Sequence, residues 1–169
     1  EGEIAGNGVD DDDNGYVDDV NGFNFYGNTG SPYDDGGHGT ACAGIIAANA
    51  NNGTQVAGLD WSCRLMPLKV LSGAGNGSLS GLARGIVYAA DNGAKVLSMS
   101  LGGYGFNGLL RDACAYAHDE GAFLAAAMMN DNSSQPSYPA AFDDAVTAVG
   151  WSDPADDRSI PLGQEILRV

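Results

Sequence analysis

Basic residues are scarce in this chain. Its 169 residues include 7 Lys and Arg against 22 Asp and Glu, a formal net charge of −15. Binding a phosphate backbone requires clustered cations, so no nucleic-acid partner is expected, and an anionic membrane surface is a poor fit for the same reason. Cysteine is also rare. Cys42, Cys63 and Cys114 are too few for a disulfide scaffold. Each lies in an apolar stretch, and all three are expected to be buried and unbridged. No apolar run approaches the roughly 18–20 residues needed to span a bilayer, so no membrane span is expected. The chain opens on Glu1 without a signal-peptide pattern, as a mature product or a fragment does.

What is present suffices for one domain over residues 1–169, with no internal repeat and no dividing linker. Apolar residues make up 44% of the chain, enough for a packed core. Charge is unevenly spread: residues 1–35 hold ten carboxylates and no Lys or Arg. That segment is rich in Gly and Asn and reads as loops. From His38 onward the pattern changes. Ala41, Ile45 and Ala48 fall at helical spacing, predicting a buried helix over His38–Ala50. Arg64–Leu71 reads as a strand, although Pro67 is unusual inside one. A helix capped by Ser80 runs to Asp91 and stops at Gly93. Lys95–Leu101 is a strand, Gly108–Glu120 a helix stopped by Gly121, and Ala122–Met128 and Ala145–Gly150 are strands. Strands alternating with helices of about 12 residues predict an α/β domain on a mostly parallel sheet. Ligands gather at the carboxyl ends of such strands, here the loops after Leu71, Leu101 and Met128.

Two motifs carry chemistry. In Gly37-His38-Gly39-Thr40 an imidazole is presented at a helix start between two glycines, a placement suited to a general base near neutral pH. In Asp10-x-Asp12-x-Asn14-Gly15, with Asp18 three residues on, oxygen side chains alternate around a turn. They match positions 1, 3, 5 and 9 of an EF-hand-type Ca²⁺ loop, but Asn21 stands where the closing Glu would be. Gly73–Gly77 lacks the third glycine of a dinucleotide fingerprint and reads as a cleft loop. Cys42 lies one helical turn after His38. A Cys–His pair can make a nucleophile, and packing is the simpler role. His118 beside Asp119 and Glu120 reads as a solvated face.

The segment from Asp34 to Ala47 (DDGGHGTACAGIIA) resembles the active-site histidine segment of the subtilisin-like serine proteases, the subtilase family. Three further blocks follow in the family's order: Val56–Leu59 with Met66–Leu71; Asn92–Gly103; and Ala125–Asn132 with Tyr138–Ala140 and Ala145–Gly150. The resemblance covers roughly residues 7–153 and implies a three-layer αβα fold, here a partial domain. It implies that His38 is the general base of a Ser-His-Asp triad acting on protein or peptide substrates. It implies that Asn130 donates to the oxyanion, that Ser100, Leu101, Gly102 and Gly103 pair with the substrate backbone, and that Ala125, Ala126 and Ala127 wall the P1 pocket. Some subtilases carry a stretch similar to Asn7–Asp19, in keeping with Ca²⁺ at Asp10, Asp12, Asn14 and Asp18. The turn Ala50–Val56 resembles a second calcium loop, with Asn52 and three carbonyls as ligands. Secretion is a further implication.

The chain also departs from the family. The family's catalytic Asp lies in an Asp-(Ser/Thr)-Gly motif before the acidic loop, and this chain begins after that point. Its serine lies in a Gly-Thr-Ser motif, which does not occur here. Asp34 and Asp35 read as ordinary loop residues. The chain alone is therefore expected to be inactive. Met128-Met129 replace the usual Ala-Gly before the oxyanion Asn. Residues 154–169 read as a divergent tail. The alternative reading is an inactive calcium-binding or interaction module on a degenerate protease fold.

Overall fold

Gly93 and Gly121 follow the last residues of two helices, and both close them in the same way. In a computed structural model, α2 is Leu79–Asp91 and α3 is Gly108–Asp119. At each C-terminus the glycine N–H and the next N–H turn back onto helix carbonyls. Gly93 and Ala94 donate to Ala90 and Ala89, and Gly121 and Ala122 donate to His118 and Ala117, at 2.9–3.0 Å. This pairing satisfies carbonyls that the helix leaves orphaned. The N-termini are capped by side chains. Asn107 Oδ1 accepts from Leu110 N–H at 3.0 Å. Ser78 Oγ accepts from Gly81 N–H at 3.0 Å, so Ser78 and not Ser80 caps α2.

The structure describes residues 2–54, 56–131 and 133–151, and the tail 154–169 lies outside them. These residues form two compact units that meet at Gly85 and Ile86, within α2. In the first, β1 (Phe23–Asn24) pairs in parallel with β2 (Leu68–Lys69), and α1 (His38–Ala47) lies between them in sequence. The expected strand over 64–71 shrinks to two residues, because Pro67 cannot donate to a ladder. β1 arises inside the acidic segment, where only loops were expected. A parallel pair closes there because Gly22, at φ +98°, passes 2.1 Å (measured from a would-be Cβ) from the Pro67 carbonyl oxygen. Phe23 and Phe25 pack edge-on with Tyr16, at centroid distances of 4.8–5.4 Å, and the Arg84 guanidinium lies over Tyr16 and Phe25.

In the second unit, β3 (Val96–Met99), β4 (Phe123–Ala127) and β5 (Val146–Val149) form an all-parallel sheet in that order. The register sets Ser98 opposite Ala125 and Ala125 opposite Thr147. Alternation along the strands turns Leu97, Met99, Leu124, Ala126 and Val146 inward, and Leu110, Ala113, Cys114 and Ala117 of α3 are buried as well. The opposite positions, Val96, Phe123 and Val149, stay exposed. No helix among the described residues is long and apolar enough to cross a membrane.

α1 departs from expectation. It ends at Ala47 and none of its residues is buried; Ile45 is 71% exposed. A helix apolar on all sides needs cover on all sides. Here its cover is partial, and its ends are tied by hydrogen bonds. At the C-terminus Ile45, Ile46 and Ala48 carbonyls accept from Leu59, Asp60 and Gly58 at 2.8–3.0 Å.

Candidate active site

His38 is the first residue of α1, and its ring is exposed. Gly37 precedes it at φ +83° and offers no side chain to cap the helix. The Asp34 carboxylate takes that role, accepting from Gly36 and Gly37 N–H on one oxygen and from Thr40 N–H and hydroxyl on the other, at 2.7–3.0 Å. These bonds, the Thr40 hydroxyl first, hold its pKa well below the ordinary 3.8. Asp35 is paired with Lys69 of β2, which lowers its pKa too. Cys42 Sγ lies 4.0 Å from His38 Nε2.

The other candidate groups lie at the carboxyl ends of β3 and β4, as parallel sheets favour. Ser100 follows β3 and is exposed, Leu101 is half-buried, and Gly102 faces β4, a would-be Cβ lying 3.0 Å from Met129 Sδ and 3.7 Å from the Ala127 carbonyl oxygen. Gly103 is already occupied. It donates to the Tyr138 carbonyl at 3.0 Å and accepts from the Tyr138 N–H at 2.8 Å, so both of its backbone groups are engaged within the chain. Ala125 and Ala127 share the half-buried face of β4, while Ala126 turns into the core. Only the first two can present methyl groups to a pocket on that face. Asn130 is exposed just beyond β4. Its neighbour Asp131 accepts from the Tyr104 hydroxyl, which raises the tyrosine pKa and ties the Asn130 turn to the loop after β3. Met129, between Met128 and Asn130, is left-handed at φ +66°, a conformation suited to the glycine usual there.

The acidic loop curls on itself. Asp10 accepts from Asn14 and Gly15 N–H at 3.1 and 2.8 Å, and Asp18 from Asn7 and Gly8 at 3.0–3.4 Å. Of the four expected ligands, Asp12 is brought into a group of three carboxylates, with Glu3 and Asp19. One oxygen of each lies within 4.8 Å of the others. Asn14 reaches that group by donating to Asp19 at 2.9 Å. Glu3 accepts from Asp11 and Asp18 N–H at 2.9 and 2.7 Å, which draws the strand-distant carboxylate inward. Three carboxylates this close, in a segment without Lys or Arg, form a hard-oxygen donor set that fits Ca²⁺. Asn52 accepts from Thr54 N–H at 3.1 Å and lines a cavity of about 230 Å³ within the turn 49–57.

Asp34, Glu3 and Asp19 are the residues that sequence reasoning passed over. A helix whose N-cap is glycine signals an outside acceptor, and Asp34 could have been found that way. Glu3 and Asp19 leave no such signal. All three cysteines are free, yet only Cys114 is buried, its pKa pushed up to about 12 by burial and by Asp144. Cys63 is exposed in the turn whose N–H groups the Asp60 carboxylate binds.

The subtilase family profile matches residues 3–160. The chain belongs to the subtilase family. Thermitase of Thermoactinomyces vulgaris is 42% identical over 140 residues, which are 83% of this chain and 50% of that protein. The thermophilic serine proteinase of Bacillus sp. (strain AK1) is 39% identical over 137 residues, 81% of this chain and 34% of that one. The solved structure of sphericase superposes with a TM-score of 0.72 at 29% identity, covering 80% of this chain and 48% of that chain. The fold is thus the subtilisin-like α/β fold. This subtilase chain spans half the length of thermitase. The match reaches residue 160, into the segment that read as divergent.

Proposed function

We propose that the chain is the central part of a serine endopeptidase catalytic domain acting on protein or peptide substrates. The observation that carries this reading is an exposed His38 opening α1, in a chain of the subtilase family. His38 acts as general base, accepting the proton of a serine hydroxyl contributed from outside these 169 residues, and later returning it to the leaving amine. Asn130 donates its side-chain amide to the oxyanion, a contact whose loss typically costs about 3–4 kcal/mol of barrier. Ser100–Gly102 bind the substrate backbone as an added strand, and Ala125 and Ala127 contribute to the P1 wall. With one triad member, the chain alone does not turn over peptides. In the complete protein, His38→Ala abolishes peptide hydrolysis while folding is kept; retained turnover sinks the triad reading.

Calcium is the second part of the proposal. Glu3, Asp12 and Asp19 hold it, supported by Asp10, Asn14 and Asp18, which shape the loop. A bound Ca²⁺ offsets the repulsion among these carboxylates and so stabilises the folded state. Asn52 and the surrounding carbonyls are a weaker second candidate. Chelation by EDTA is expected to lower the melting temperature of calcium-loaded protein, and Glu3→Gln to shrink that drop. An unchanged melt after chelation excludes structural calcium at this loop. The acidic composition and the family support a secreted protein.

A further inference from the structure

We propose that Asp34 positions His38, acting as a detached N-cap for the helix that His38 opens. The kinetic consequence rests on the protease reading; the geometry does not. The first N–H groups of any α-helix lack intrahelical acceptors, and the residue at the N-cap of α1, Gly37, has no side chain to supply one. Asp34 supplies it from three residues upstream. Oδ2 accepts from the N–H of Thr40, the third helical residue, at 2.8 Å and from the Thr40 hydroxyl at 2.7 Å. Oδ1 accepts from Gly36 at 3.0 Å and Gly37 at 2.8 Å. Two donors lie before His38 and two belong to a residue after it, so the segment 36–40 winds around one carboxylate with His38 at its middle. Negative charge at this end also favours the helix dipole.

Neighbouring contacts fix the carboxylate in turn. Asp35 is paired with Lys69 of β2. The Gly36 backbone runs against that of Gly73, in the loop after β2, so closely that a Cβ on Gly36 would lie 3.0 Å from the Gly73 carbonyl oxygen. The chain of restraint therefore runs from β2 through residues 34–36 to the first turn of α1. Because four bonds favour the ionised form, the acceptor stays charged at neutral pH. A general base misplaced by about 1 Å can cost roughly 100-fold in rate. Asp34 is thus a positioning residue that acts through His38.

The test uses the complete protein containing this chain and a peptide p-nitroanilide. Asp34→Ala is expected to lower kcat about 100-fold with KM within about twofold. Asp34→Asn and Thr40→Val, which remove part of the set, lower kcat less, and Thr40→Ser, which keeps the hydroxyl, retains parental kcat. The His38 imidazole supplies a readout independent of turnover. Its ¹H–¹³C correlation, assigned by its disappearance in His38→Gln, is single and sharp in the parent and split or broadened in Asp34→Asn. A lower melting temperature with parental kcat, or an unchanged His38 correlation in Asp34→Asn, overturns the proposal. If both Asp34 variants fail to fold, Thr40→Val decides by the same readouts. An inactive parent sinks the protease reading alone, and the imidazole correlation still decides the role of Asp34.

Discussion

Met129 holds a backbone conformation that a β-carbon resists. Its φ of +66° costs a non-glycine residue about 1 kcal/mol, and its Sδ lies beside Gly102, 3.0 Å from where a Cβ on that glycine would sit. Met129→Gly is expected to melt at or above the parent. Met129→Ile, with a β-branch in the same left-handed backbone, is expected to melt below it. The reverse order would mean that the contact with Gly102 outweighs the backbone term. The Met-for-Gly departure is legible in the sequence. That the backbone keeps the left-handed turn and adapts the side chain instead is not, because sequence does not say which of the two gives way. Asp34 shows the same limit. Its folded pKa is depressed, so its stabilising bonds are present above the ordinary carboxylate value of 3.8 and are lost as pH falls toward the lower folded value.

Helices were more legible than strands, and their ends explain why. α3 starts at Asn107 and closes at Gly121, two local signals that need no tertiary partner. Asn107→Ala is expected to destabilise the protein by about 1 kcal/mol, read from denaturant unfolding followed by circular dichroism. An unchanged midpoint would show that the cap is replaced by solvent at no cost. β3, β4 and β5 lie within the predicted runs, each trimmed at one or both ends where ladder bonds stop. β1 was missed and the expected run 64–71 narrows to β2, since a two-residue pair depends on which distant segment passes close by. The passage of Gly22 against Pro67 is such an event.

At the scale of the whole molecule, apolar surface remains uncovered. α1 buries none of its residues, Leu59 is 91% exposed and Trp61 68%, and Val96 and Phe123 are exposed on a sheet face that is elsewhere only half-buried. Parallel sheets are ordinarily covered on both faces. Exposed apolar surface favours association and binds hydrophobic dyes. The 169-residue chain by itself is therefore expected to bind 8-anilinonaphthalene-1-sulfonate and to sediment as more than a monomer. A sharp melt as a dye-silent monomer would contradict this. Half the length of thermitase lies outside the region this chain matches.

The sequence by itself determined the order of helices and strands from α1 onward, the family, and the candidates His38 and Asn130. Each of these is written in local period, turn chemistry or a contiguous motif, which neighbouring residues specify without help. Tertiary structure alone decided that Glu3 and Asp19 join Asp12, that Gly103 is taken by Tyr138, that Asp34 binds the turn around His38, and that no residue of α1 is fully buried. Those outcomes depend on where side chains point and on which distant backbone arrives beside them, and both are set by packing rather than by spacing along the chain.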